Sequence, residues 1–200
     1  MEKVIVKSRN ELIEIVYNAD KKANLNYLDV SRITNMRGLF MLSRFNGDIS
    51  EWDVSNVTDM SCMFYESHFD GDISKWNVSK VKNMREMFAF SEFNGDISKW
   101  DVSNVRDMGH MFIDSDFNGD IFNWNVSKVK DMSYMFTDAR FDGDISKWDI
   151  SKVRDMTYML AGSNFTGDIS NWDLTKVKNK KGMLNLYQAT KLPMLKHLVG

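Results

Sequence analysis

Apolar and polar positions recur along this chain at a fixed step of 24 residues. All six tryptophans keep the step, at Trp52, Trp76, Trp100, Trp124, Trp148 and Trp172, and Leu28 takes the same place one unit earlier. Gly47, Gly71, Gly95, Gly119, Gly143 and Gly167 keep it too, as do the aspartates that follow them and most of the methionines and phenylalanines. Counted from Trp, the unit reads W-D/N-V-S-x-V-x-D/N-M-x-x-M-F-x-x-S-x-F-N/D-G-D-I-S-x. Self-similarity at such a period is the mark of a repeat architecture, here of about seven units.

Within a unit the pattern predicts two elements. Trp52 and Val54 alternate with Asp53, as in a short strand with its apolar side inward. Val57, Met60, Met63, Phe64 and Ser67 follow at steps of three and four, the spacing of a helical face. Ser55, Ser79, Ser103, Ser127 and Ser151 precede that run, where a hydroxyl can cap free amide groups. Phe69 and Ile73 flank the turn Asp70–Gly71–Asp72, in which glycine permits a positive φ. A unit of strand, turn, helical or 3-10 segment and turn cannot bury its apolar side alone, but can against its neighbours. The expected fold class is therefore an α/β repeat, a solenoid with one short parallel strand and one short helical or 3-10 segment per coil. Stacked at about 4.8 Å, like residues would form continuous rows of Trp, Phe and Met. The inward phase of the methionines marks them as core filler rather than metal ligands. A finer alternation pairs W-D-V-S-N with W-N-V-S-K units and implies a duplicated block of 48 residues.

The ends differ. Residues 1–26 are expected to form an N-terminal capping strand and helix, because Ser8-x-x-Glu11 ahead of Leu12, Ile13, Ile15 and Val16 is a capping-box pattern. Residues 27–184 hold the repeats. Beyond them the pattern decays, with Lys180 in a Met place, Leu184 in a Phe place and Ala189 in the second Phe place. The segment 185–200, apolar from Leu192 to Val199 and holding the one proline, is read as a C-terminal cap or a docking tail.

Composition removes some functions. The formal net charge of −2 gives no general attraction to nucleic acid or anionic membrane. One cysteine, Cys62, excludes an intrachain disulfide framework. No stretch approaches the roughly 20 apolar residues of a membrane span. The first residues lack the pattern of a signal peptide, and no lipobox or anchor is visible, so the chain as written reads as cytoplasmic.

No catalytic constellation emerges. His68, His110 and His197 fall at different phases, Cys62 sits at a variable non-core phase, and no P-loop, HExxH or GxSxG string occurs. The expectation is a chain that is not an enzyme and needs no cofactor. The aspartates at 48, 72, 96, 120, 144 and 168 form an acidic row that offers oxygens to calcium, but the preferred reading is that each accepts amide hydrogen bonds in its own turn. Arg32, Lys80, Lys82, Arg106, Lys128, Lys130, Lys152, Arg154, Lys176 and Lys178 make a basic stripe. Aspartates lie beside it and no exposed aromatics interleave, which disfavours nucleic acid. The outward residues Lys75, Asn77, Lys99, Asp101, Asn125, Lys147 and Asp149 stand in register between coils and are the candidate partner-binding face.

The run from Phe45 to Met60, Phe-Asn-Gly-Asp-Ile-Ser-Glu-Trp-Asp-Val-Ser-Asn-Val-Thr-Asp-Met, continuing to Met63–Phe64, closely resembles the BspA-like leucine-rich-repeat surface-protein family. The resemblance covers about residues 28–184. It implies a right-handed leucine-rich-repeat-like solenoid with a role in adhesion or protein binding, and it carries no enzymatic activity. The resembled proteins are often at the cell surface. The functional expectation is a non-catalytic binding module, adhesin-like or scaffold-like, that recognises a protein or glycan partner. The alternative is an architectural component of a larger, self-associating assembly.

Overall fold

The computed structural model describes residues 3–184. A short strand β1 (Val4–Ile5) leads into the helix α1 (Arg9–Asn18), and a second strand β2 (Leu28–Asp29) lies parallel to β1 with Val4 opposite Leu28. Helix α1 starts at Ser8, whose hydroxyl accepts the Glu11 amide at 3.2 Å, while the Glu11 carboxylate accepts the Lys7 amide at 2.7 Å. Two amide groups at the helix start are thereby satisfied. The helix buries Leu12 and Val16 against the first unit.

From there each unit is bonded to the next. Six parallel bridges join Asn35, Asp59, Asn83, Asp107, Asp131, Asp155 and Asn179 in turn, each spanning 24 positions. Around each bridge the amides of Met60, Cys62, Phe64 and Glu66 donate to the carbonyls of Asn83, Arg85, Met87 and Ala89 at 2.9–3.0 Å. The intervening amides of Met63, Tyr65 and Ser67 close turns on Met60, Cys62 and Phe64 within the unit. Alternate amides thus serve the neighbour and the unit itself, which leaves this buried stretch well satisfied.

The local geometry departs from the expected elements. The stretch Val57–Ser67 is a run of turns rather than a helix, and the helix-like spacing of its apolar residues comes from turn corners. Cys62 and Glu66 have φ of 54° and 48°, and the same two places are left-handed in the following units at Glu86 and Phe90, His110 and Asp114, and Tyr134 and Asp138. Each such residue costs roughly 1–2 kcal/mol, which the inter-unit amide bonds offset. The strand expected at Trp52–Val54 is also absent, because pairing between units falls at the Asp59 place instead. At the Trp place strand pairing occurs once, where β1 meets Leu28 of β2. Among the described residues the single 3-10 element is Leu174–Lys176 in the last unit.

The serines expected as helix caps play the converse part. Ser55 donates its amide to Asp53 Oδ1 at 3.0 Å, and Ser103 and Ser151 do the same to Asp101 and Asp149. Such Asx turns occur three times per unit, at Asp48–Ser50, Asp53–Ser55 and Asp59–Ser61. Between the two polar residues of each sits an apolar one, Ile49, Val54 or Met60, and all three are buried. The D/N-apolar-S triplet is therefore a corner that turns the chain while aiming one side chain inward.

The core is a set of rows. Phe64, Phe88, Phe112 and Phe136 stack at 5.5–5.6 Å with their planes within 6°. Phe69, Phe93, Phe117 and Phe141 stack at 6.4 Å. Each Trp from 52 to 148 donates its indole N–H to a carbonyl of the preceding unit, as Trp100 does to Ile73 at 3.1 Å. A buried indole thus gains both area and a polar anchor. The C-terminal cap or docking tail read at 185–200 lies outside the described residues.

Candidate functional site

The seven residues of the candidate face, Lys75, Asn77, Lys99, Asp101, Asn125, Lys147 and Asp149, are all exposed. A turn closed by the Trp76 amide on the Ile73 carbonyl at 3.1 Å holds Ser74 and Lys75 at its corners, so Lys75 points out just before Trp76 points in. The same turn sets Lys99 and Lys147 through Trp100 and Trp148.

The seven fall into two groups. Asp101 and Asp149 accept the amides of Ser103 and Ser151, and Asn77 and Asn125 accept those of Ser79 and Ser127 at 3.2 Å. The Ser103 hydroxyl and amide hold the Asp101 carboxyl below its ordinary range, and those of Ser151 do so for Asp149. These four residues fix the backbone, whatever else they do. Lys75, Lys99 and Lys147 have no carboxylate within ion-pair distance among the described residues. The Lys147 ammonium lies 4.6 Å from the centre of the Phe122 ring, a cation–π distance.

The aspartate row offered to calcium is held in the same way. Asp48, Asp72, Asp96, Asp120, Asp144 and Asp168 each accept the amide two residues on, from Ser50, Ser74, Ser98, Phe122, Ser146 and Ser170. Among the described residues no group of three or more His, Cys, Asp or Glu side chains converges in a geometry that could hold a metal ion.

One row escaped the sequence reading. At the left-handed Cys62 place, the rings of His110, Tyr134 and Tyr158 stack at 4.7 and 5.3 Å on the outer side of the units. Arg85 closes the row, with a guanidinium nitrogen 3.0 Å from His110 Nδ1. Its guanidinium also reaches Glu86 at 3.4 Å and Asp131 at 3.4 Å, two units on. Gly109 makes this crossing possible, because a Cβ there would stand 2.5 Å from the Arg85 guanidinium. Burial and Arg85 push the His110 pKa down, and burial pushes the Asp107 carboxyl up. The sequence carries a signal for this row, since His110 shares a phase with Tyr134 and Tyr158 although not with the other histidines. Cys62, at the same place, has its thiol pKa raised by burial and by Glu86. That is the opposite of an activated nucleophile.

A separate groove of about 560 Å³ opens between α1 and the first unit, lined by Ile13, Val16, Tyr17, Leu39, Met41 and Leu42 among others. Tyr17 and Leu42 are strongly exposed there.

Residues 10–115 and 89–196 each match the family described as "Mycoplasma protein of unknown function, DUF285". The chain belongs to this family. The two DUF285 matches overlap, as a chain of like units allows. Comparison with curated proteins and with solved structures gives no match. Among the described residues of this DUF285 chain no helix is long and apolar enough to cross a membrane.

Proposed function

We propose that this DUF285 chain is a right-handed, leucine-rich-repeat-like solenoid of the BspA-like kind. In this reading it is a non-catalytic binding module that recognises a protein or glycan partner. The observation that carries it is the row of Lys75, Lys99 and Lys147, exposed, in register and with no carboxylate within ion-pair distance among the described residues. A solvated row of cations on a rigid stack offers repeated weak contacts that add along the axis, as avidity requires. The Asp and Asn residues beside them hold those cations in place by fixing the backbone of each unit. The resemblance to adhesion proteins supports the same reading.

The test is capture of extracellular-matrix proteins and of a glycan array by the full chain, followed by Lys75→Glu, Lys99→Glu and Lys147→Glu together. Loss of roughly tenfold or more in affinity, with unchanged melting, is the expected result. Unaltered binding by the triple variant would reject this face.

A further inference from the structure

Charge is sorted around the unit. The five-residue segment 54–58 and its counterparts, from 30–34 to 174–178, together contain ten Lys or Arg and no Asp or Glu, with nine aspartates directly beside them at the places of Asp53 and Asp59. The seven-residue segment 66–72 and its counterparts, from 42–48 to 162–168, contain thirteen Asp or Glu against two Arg. One of those arginines, Arg140, is held by Asp116 at 2.9 Å. Val57 of the first segment and Phe69 of the second lie half a unit apart. In a chain that returns above itself every unit, half a unit later is the far side of the core. Both residues are fully buried, so each segment carries its charges around a side chain that points into the core.

The cations of the first side are available. Lys80, Lys82, Lys128, Lys130, Lys152 and Arg154 are all exposed, and no carboxylate stands within ion-pair distance of them among the described residues. Lys80 and Lys128 instead donate to the amide oxygens of Asn56 and Asn104 in the preceding unit at 2.7 Å, which fixes their direction. On the other side Glu66, Asp114 and Asp138 are exposed at one left-handed place of the unit.

The two sides share one pitch, because both are set by the same bridges between residues 24 apart. A row of cations on one molecule therefore meets a row of carboxylates on another with the same repeat. A polyanion of different charge spacing matches the basic side less well and leaves the acidic side unanswered. We propose that the partner of the basic side is a second copy of this chain, docked through its acidic side. Such a contact uses unlike surfaces and does not close on itself, so association continues sideways into an array. It is independent of Lys75, Lys99 and Lys147, and reversing those three leaves it intact.

The test is sedimentation velocity of the full chain over a range of concentrations, in about 20 mM and about 0.5 M salt. Concentration-dependent species larger than a monomer at low salt, dispersed at high salt, are expected. Reversal of the basic side (Lys128→Glu, Lys130→Glu, Lys152→Glu, Arg154→Glu) and reversal of the acidic side (Glu66→Lys, Asp114→Lys, Asp138→Lys) should each give monomers. An equimolar mixture of the two variants should associate again, with circular dichroism confirming that both are folded. A wild-type chain that stays monomeric at low salt overturns the proposal without recourse to the variants. So does a basic-side variant that still self-associates, or a low-salt assembly that forms only when nucleic acid is added.

Discussion

The central units and the last one are built from nearly the same residues, yet they are not held in the same way. Trp100 lies between units, 4% exposed, with its indole N–H on the Ile73 carbonyl. Trp172 occupies the same place in the last described unit, 8% exposed, and its indole nitrogen is the one buried side-chain polar atom without a partner among the described residues. The last unit also replaces a turn by the 3-10 segment Leu174–Lys176. The difference teaches that a unit's stability comes from its junctions. The same tryptophan matters most where its indole N–H reaches a carbonyl of the preceding unit.

The sharpest way to break this contrast is to truncate the two tryptophans in parallel. Trp100→Ala should cost about 3–5 kcal/mol, the range for a buried aromatic, and should visibly lower the urea midpoint. Trp172→Ala, which loses no indole hydrogen bond, should cost roughly 1–2 kcal/mol less. Equal losses would mean that the terminal unit is as tightly held as the centre. Next in size is Gly95→Ala. A Cβ there would stand 2.9 Å from the ring of Phe93, which is fully buried and stacked between Phe69 and Phe117. The ring cannot yield without disturbing its row, and a loss of about 1–3 kcal/mol is expected from thermal unfolding.

These contrasts also show what the sequence made legible. The 24-residue step is visible because every junction repeats the same burial, so Trp, Phe, Met and Val recur in phase. The start of α1 is legible because Ser8 and Glu11 act locally. The conformation between Val57 and Ser67 was hidden. Its left-handed places carry Cys62, Glu66, Glu86, Phe90 and His110 and are glycine in other units only at Gly38, Gly162 and Gly182 among the described residues, and the compensation comes from amide bonds to residues 23 positions away. No local pattern reports such a bond. The candidate face was legible as outward residues, but not the division of labour between its lysines and its Asx turns. Arg85 was hidden for another reason: its reach depends on the missing side chain at Gly109 in the next unit.

A smaller effect separates carboxylates by place. Asp53, Asp72, Asp96, Asp101 and Asp149 have pKa values lowered from 3.8 by the serines that follow them. Their contribution is present above the unfolded value and lost as pH falls through the folded one, so stability should drop on acidification below about pH 4. Asp101→Asn keeps the acceptor oxygen, as Asn77 and Asn125 do at that place. It should change stability little at pH 7 and reduce the acid-induced loss. Asp107 runs the other way. Burial raises its pKa, so the ionised form is disfavoured in the folded chain at neutral pH. Asp107→Asn should therefore be neutral to slightly stabilising at pH 7, with the gain shrinking as pH falls and the wild-type carboxyl protonates. Its amide could donate to Asp131, as Asn179 donates to Asp155 at 2.7 Å. Calorimetry at pH 7 and pH 4 would detect either sign.

The amide bonds between neighbouring units, which run forward from Met60, Cys62, Phe64 and Glu66 and back from Lys82 and Glu92, have a mechanical consequence. Pulled along the stack from its C-terminal end, the chain should yield junction by junction, since each such set of bonds closes a single unit on its neighbour. Every rupture would free 24 residues, about 80 Å of extended chain, and a force trace should show steps of that size, like teeth released from a zip.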